Sequence, residues 1–482
     1  MSKYDGVQAE ESPVLSRPIA TSINTSGPRP VPLLGWNVEA LRWGRDPVGY
    51  LTALYRKYGT FSAWKADRVF RVFAFSPEHN QRVLGGPDLF HMTPPRKRNI
   101  IPANSAMMNL RSGLLSLDGE EHRRHRKLMA PAFHHKQVET YRDTIAEMTY
   151  KMLERWAIGK TRDVEVDMRQ LVHRIAMKAV LSIEDDNELT TLNDLIEELL
   201  SVTPRAFLFP YDLPGSSYRR MMKAADLITA SLESLVEKKR ADASTFQDIL
   251  AMIMNARNEK GAGFESAELI AEAYNILCHE TSASTLVWIL FLLAQHPRVC
   301  SDLVDELEGE LGGLDPSIEQ LSRLPLLDSV IKESMRLIPT APFGTRFSTE
   351  ACHFGGCELP KGAAVTFSQY ITHRLPEIYQ EPQRFLPRRW EGPKPGPYEF
   401  FPLGVGVHNC IGGAFAMLEM KVVLAIMLQR YRFTVAPKLR INRVFRMSLR
   451  PRSGMPMFVS KQDRRFSKSP VTGNIHEMVD LA

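Results

Sequence analysis

The chain of 482 residues has 44% hydrophobic residues and a formal net charge of +6, the composition of an ordinary globular protein able to bury a large core. Its Lys and Arg are spread along the chain instead of forming a tail, which favours a basic docking face for an acidic protein partner over nucleic-acid binding. Five cysteines, an odd count scattered over this length, exclude a disulfide framework and point to a reducing cytoplasm.

In chain order, residues 1–30 read as a flexible lead, closed by the proline-rich GPRPVPLLGW (Gly27 to Trp36), which suits an extended segment lying on a surface. The polar opening predicts neither a secretory signal nor a membrane anchor. The longest strongly apolar run, LVWILFLLA from Leu286 to Ala294, is shorter than the roughly 18 residues a spanning helix needs. Strands are expected in Thr60 to Phe75, and in the alternating stretch Arg346 to Ser368 with turns at Gly355-Gly356 and Pro360-Lys361-Gly362. Helical periodicity dominates elsewhere: about Val138 to Leu153, Thr191 to Val202, Tyr218 to Lys238, Ser266 to Gln295, Val299 to Leu311, Leu326 to Leu337 and Ala414 to Arg430. Dense prolines from Pro376 to Gly404 predict a long ordered meander. The expected fold class is mainly α with a small β-sheet region: one domain over 31–462, followed by an appended tail at 463–482.

The stretch LGVGVHNCIGGAF, Leu403 to Phe415, sets a single cysteine, Cys410, between two pairs of glycines just ahead of a helix. It is not a dinucleotide fingerprint, because Asn409 stands where a third glycine is needed and no strand precedes it. A zinc site lacks a second nearby cysteine, and Cys352, His353 and Cys357 offer only three ligands inside a predicted hairpin. A thiolate at a helix start fits better, favoured by converging N–H groups and the positive helix end. Gly404, Gly406, Gly412 and Gly413 withhold side chains, so a large flat group such as haem could lie against the loop. From this stretch alone a buried free cysteine in a glycine-rich turn fits equally well.

Taken with the rest of the chain, G-x-H-x-C-x-G followed by a helix resembles the haem-binding loop of the cytochrome P450 family, in its soluble bacterial form. KESMRL matches that family's E-x-x-R helix at Glu333 and Arg336, and FLPRRW supplies its later arginine, Arg389. LCHETSAS (Leu277 to Ser284) looks like its central helix on the oxygen side of the haem, and GEEHRRHRKLMAPAF from Gly119 like its helix of propionate ligands. The likeness runs from about Gly27 to Phe458. It implies haem b (iron protoporphyrin IX) on Cys410 in a loop shaped by Gly404 and Gly412, with propionates held by His122, Arg126, Arg346 and His408. It also implies a structural triad of Glu333, Arg336 and Arg389 that locks the meander. Glu280 and Thr281 become the expected proton relay, since splitting dioxygen takes two protons and an acid beside a hydroxyl can pass them through water. The Thr281 hydroxyl is expected to bond back to the carbonyl of Leu277.

Two departures stand out. Leu277 and Cys278 replace small residues and would crowd the oxygen side, and Leu403 stands where an aromatic residue usually packs beside the sulfur. By analogy the substrate pocket is lined by Met107, Phe207, Leu277, Ala341, Phe343 and Met447, mostly apolar, which implies a hydrophobic small molecule. The basic run Arg96-Lys97-Arg98 could recognise a carboxylate, or be a solvated loop. With no flavin, iron–sulfur or nicotinamide motif, electrons are expected from a ferredoxin or flavodoxin with its reductase, docked on Arg123, Arg124, Lys127, Lys421 and Arg430. The expected activity is a cytoplasmic haem-thiolate monooxygenase using O2. The rivals are a peroxide-driven hydroxylase or isomerase on the same haem, and a non-enzymatic haem protein.

Overall fold

A computed structural model describes residues 27–28, 37–66, 69–94, 100–241, 248–277 and 280–481. Most of the N-terminal lead, Arg96-Lys97-Arg98 and Cys278 therefore lie outside the described residues.

The body is helical. Helix α1 (Asn37–Arg45) leads into α2 (Pro47–Tyr58), which starts where Asp46 accepts from the Gly49 N–H at 3.0 Å and Pro47 presets the first turn. It stops at Gly59, whose φ of +76° an L side chain rarely adopts. Strands β1 (Phe61–Ala66) and β2 (Val69–Ala74) fall in the stretch where strands are expected and pair antiparallel, with Trp64 opposite Arg71. They join β3 (Phe90–His91), β4 (Gly344–Ser348) and β5 (Ala364–Phe367) in a five-stranded sheet of order β1-β2-β5-β4-β3. Every pair is antiparallel except β2 with β5.

The helices that position the site are α3 (Gly119–Met129), α4 (Val164–Leu181), α5 (Ser266–Leu277), α6 (Glu280–Gln295), α7 (Pro325–Leu337) and α8 (Gly413–Arg430). From Ser282 to Gln295 every residue of α6 is buried, and α4, α7 and α8 pack around it. The stretch 266–295 passes the length and apolarity expected of a membrane span, but 88% of its apolar window lies inside the fold, so its hydrophobicity serves the core. The helix expected over Val138 to Leu153 is two helices, His135–Glu139 and Arg142–Leu153. The break falls at Thr140, whose hydroxyl takes the Gln137 carbonyl at 2.7 Å and competes with the helical ladder.

Residues 463–481, read from the sequence as an appended tail, are docked on the core. Val471, Ile475, Met478 and Val479 are buried. Arg374, itself buried, donates to the Met478 carbonyl at 2.8 Å, the Asp480 N–H donates to the Gln383 carbonyl at 2.8 Å, and Glu477 pairs with Arg443 at 2.8 Å. The partners of this segment lie some 30 to 100 positions earlier, so no local pattern announces the docking.

Candidate active site

Cys410 sits between a 3-10 turn (Gly406–His408) and the start of α8. Its N–H donates to the Leu403 carbonyl at 2.8 Å, closing the loop. Gly404 and Gly406 hold φ of +74° and +76°, and a Cβ on Gly406 would come within 2.3 Å of the Leu84 carbonyl oxygen, so the loop is pressed against the end of the helix Pro77–Leu84. Gly413 leaves room for Leu403, whose side chain would sit 3.3 Å from a Cβ there. A Cβ on Gly412 would meet only a Phe133 ring carbon, at 4.0 Å, so that face of the loop is open.

The Cys410 side chain is accessible, yet enough protein surrounds it that burial pushes its pKa up. The Gly412 N–H and the nearby charge of Arg126 pull the other way without prevailing. The helix start therefore does not create a thiolate by itself, as the sequence led us to expect. A bound metal ion would deprotonate the thiol outright.

Beside the loop the fold gathers cations. The rings of His122 and His408 lie 4.0 Å apart, and Arg126 donates to the Asn409 carbonyl at 2.8 Å. Arg346 is buried and reaches only the Thr345 carbonyl, at 3.1 Å; among the described residues no carboxylate pairs with it. Burial draws its pKa down to about 10, with Asp118 opposing. His408 is held down to about 4 by burial, then by His122 and Arg346, although its Nε2 is 3.6 Å from Asp118. His122 is lowered by burial and by Arg126. With both histidines neutral, Arg126 and Arg346 face one carboxylate, Asp118, which leaves a positive surplus, and buried charge without a partner is costly. An accessible soft sulfur, an open glycine face and an unpaired buried guanidinium fit an iron porphyrin with two anionic arms. Arg346→Gln is expected to weaken haem retention by about 10- to 100-fold, the value of a hydrogen bond to a charged group, read as haem transfer to an apo-globin acceptor.

Thr281 is exposed although the residues after it in α6 are buried. Among the described residues it has no hydrogen-bond partner. The back-bond expected from it is made one turn later, from the Thr285 hydroxyl to the Thr281 carbonyl at 2.8 Å. Glu280 is turned toward a different group. Burial raises its pKa, while Arg450 and Arg169 oppose, and Glu165, 3.2 Å from Arg450, lies in the same cluster. Adjacent helical positions differ by about 100° in direction, so the acid and the hydroxyl are offset on the helix.

The triad is assembled as expected. Glu333 and Arg336 are fully buried and share two hydrogen bonds, 2.8 and 2.9 Å, while the Arg389 Nε donates to Glu333 at 3.0 Å. Trp390 (3.1 Å) and the Leu386 N–H (3.0 Å) complete the carboxylate's shell. Arg336 also donates to the carbonyls of His373 and Pro382 at 2.8 Å and of Arg384 at 3.2 Å, tying α7 to the meander. Burial works against ionisation of Glu333, but Arg336 and Arg389 outweigh it and hold the carboxylate below its usual range.

The expected pocket residues are placed unevenly. Met107 and Leu277 are core-packed, Phe343 and Phe207 are half-buried, and Met447 is 58% exposed at a hairpin tip. The expected basic docking face is not free charge. Arg123 pairs with Asp88 (3.0 Å), Arg124 with Glu268, Lys127 with Glu259 (2.5 Å), Lys421 with Asp328 (2.9 Å) and Arg430 with Asp315 (3.6 Å). Each partner comes from a distant part of the chain, from 35 positions away for Arg123 and Asp88 to 144 for Arg124 and Glu268, so the linear order hides the pairing. Sequence reasoning also missed Glu419, a fully buried carboxyl on α8 that faces the Ser282 hydroxyl of α6; burial pushes its pKa up to about 8, with Ser282 opposing. The signal was available, a lone acid in the apolar AMLEMKVVLAIML.

Comparison with known proteins places this geometry in context. The family model described as Cytochrome P450 matches residues 25–456. A Mycobacterium tuberculosis protein named as cytochrome P450 135B1 is 30% identical over 418 residues, covering 84% of this chain and 86% of its own. Cyclooctat-9-en-7-ol 5-monooxygenase of Streptomyces melanosporofaciens is 28% identical, covering 89% and 93%. A solved structure, retinoic acid bound cyanobacterial CYP120A1, superposes with a TM-score of 0.77 at 23% identity over 91% of this chain and 99% of that one.

Proposed function

The chain belongs to the cytochrome P450 family of monooxygenases, and from that premise we propose that it inserts one atom of O2 into an apolar organic substrate, with Cys410 as the residue that would bind the iron of haem b. The observation that carries this reading is the accessible Cys410 thiol in a glycine-opened loop beside the buried guanidinium of Arg346, which pairs with no carboxylate among the described residues. Bound haem would supply the iron chemistry that activates dioxygen, and a thiolate ligand favours O–O cleavage.

The chain's own residues do the rest. Arg346, Arg126, His122 and His408 hold the propionates and fix the ring's orientation. Gly404 and Gly412 keep the loop clear for it. Thr281, which is exposed, offers a hydroxyl that can hold a water and pass a proton. Glu280 feeds that relay from the Glu165–Arg169–Arg450 cluster, and its raised pKa keeps a proton available closer to neutrality. Core-packed Leu277 and Met107 and half-buried Phe343 offer the substrate apolar contact. That one relative is named for oxidising cyclooctat-9-en-7-ol is in keeping with a hydrophobic substrate.

Electrons would come from a ferredoxin or flavodoxin with its reductase. Because the cations of the expected docking face are each compensated, an acidic partner would meet local pairs there and not a strong positive field.

Turnover of a substrate found by its shift of the haem spectrum tests the proposal. Thr281→Ala is expected to lower product formed per electron pair by about 10²-fold while haem content stays constant. Unchanged yield would remove Thr281 from the relay, and equal turnover with peroxide alone would replace the oxygen-dependent reading with a peroxide-driven one.

A further inference from the structure

Arg71 carries a charge that neither the core nor the proposed site uses. It stands on β2, on the sheet face that also carries Phe73, directly across from Trp64 of β1. Its guanidinium lies over the rings of Trp43 (5.7 Å) and Trp64 (5.8 Å). Its Nε is buried without a hydrogen-bond partner, and no carboxylate among the described residues pairs with it. Aromatic faces attract a cation but satisfy none of its five N–H donors in the way an oxygen acceptor does.

Other buried arginines of this fold place part of their guanidinium on oxygen acceptors, although Arg374 and Arg443 also leave Nε without a partner. Arg336 has Glu333 and three carbonyls, Arg374 has the carbonyls of Tyr370, Leu337 and Met478, and Arg443 has Asp46 and Glu477. Arg346 is assigned to the propionates. Among the described residues the polar group in electrostatic reach of Arg71 is Tyr50, whose buried phenol is raised in pKa first by burial and then by the neighbouring Glu39 carboxylate. The acid beside Tyr50, Glu39, is engaged by Arg42 at 2.9 Å.

The aromatic neighbours run from Arg71 toward the site. Trp43 meets Phe343 at 4.9 Å, and Phe343 meets Phe445 at 4.8 Å. Phe343 immediately precedes β4, the strand that carries Arg346. A half-buried guanidinium and a phenol at one end of a hydrocarbon-compatible wall are what an amphipathic anion requires: charge-assisted hydrogen bonds for its head and aromatic contact for its body.

We propose that Arg71, assisted by Tyr50, is a carboxylate-recognition site, so that the substrate of this enzyme is an apolar organic acid held at its acid end. The proposal rests on the monooxygenase reading and narrows its substrate class.

The test uses the haem-loaded full chain and a set of apolar carboxylic acids, straight-chain and polycyclic, each beside its methyl ester. Binding is read from the shift in haem absorption and, independently, by equilibrium dialysis. The acids are expected to bind about 10-fold tighter than their esters or better, with added salt weakening the acids alone. Arg71→Gln should abolish the preference and leave the esters unchanged, and Arg71→Lys should keep part of it. Equal affinity for acid and ester, no binding by any acid of the set, or an equal loss for both in Arg71→Gln would overturn the proposal. The wild-type comparison decides even where a variant fails to fold. The carbon monoxide difference spectrum is taken first: without a haem-thiolate band the underlying reading falls and this one with it, whereas a coloured enzyme indifferent to the carboxylate overturns this inference alone.

Discussion

Cys410→Ser is expected to yield a protein without the haem-thiolate absorption band and with turnover reduced by about 10³-fold or more, equivalent to about 4 kcal/mol of barrier. Serine nearly matches the shape of cysteine, so the loop should survive: the N–H of residue 410 still donates to the Leu403 carbonyl, and Gly404 and Gly406 keep their left-handed turns. What is lost is a soft, ionisable ligand. Burial already pushes the Cys410 thiol up in pKa, and a hydroxyl in the same place would be far harder to ionise. The cations beside it would still attract the propionates, so some porphyrin could be retained. The readout is therefore the reduced carbon monoxide spectrum together with turnover, not haem content alone. A serine variant with the wild-type spectrum would remove Cys410 as the ligand.

Glu333→Gln is the second large effect. The carboxylate receives hydrogen bonds from Arg336, Arg389, Trp390 and the Leu386 N–H, at 2.8 to 3.1 Å. Removing its charge leaves Arg336 buried without an anion, at a cost of about 3–5 kcal/mol, a large part of the about 5–15 kcal/mol that stabilises a typical domain. The expected result is a clear fall in thermal midpoint and loss of haem incorporation during expression, because the meander that Arg336 ties down leads directly into the cysteine loop. The exposed pair Arg384–Glu381, each 54% accessible, has the same three-residue spacing, and Arg384→Gln should change stability by about 0–1 kcal/mol. Similar losses for the two variants would show that the triad is not a buried lock. The pH dependence follows from the direction of the shift. The folded pKa of Glu333 lies below its unfolded value, so its stabilisation is present above the unfolded value and disappears as pH falls through the folded one. Glu333→Gln should flatten that acid limb.

Much of the fold was legible because it is written in local periodicity. The apolar spacing of Leu326 to Leu337 anticipated α7, and Thr60 to Phe75 read as strand-like. The triad's first two members share a helix face by their spacing alone. The break at Thr140 was not legible, because a hydroxyl that bonds to a nearby carbonyl competes with a helix only when the surrounding packing allows it. Nor was the compensation of Lys421 by Asp328 or of Arg123 by Asp88, since each cation's partner comes from another part of the chain.

The amino-acid order by itself determined the thiol in its glycine-rich loop, the acid and hydroxyl within a long, largely apolar helix, and the Glu333–Arg336 pair, since each depends on neighbours a few positions away. Only the tertiary structure decided which charges are compensated and which are not. Arg346 and Arg71 look like any other arginine in the sequence, and become unpaired cations only once distant segments enclose them and no carboxylate follows. The reason is physical: helical and strand patterns arise from short-range geometry, whereas burial and electrostatic pairing depend on which residues the folded chain brings within a few ångströms of one another.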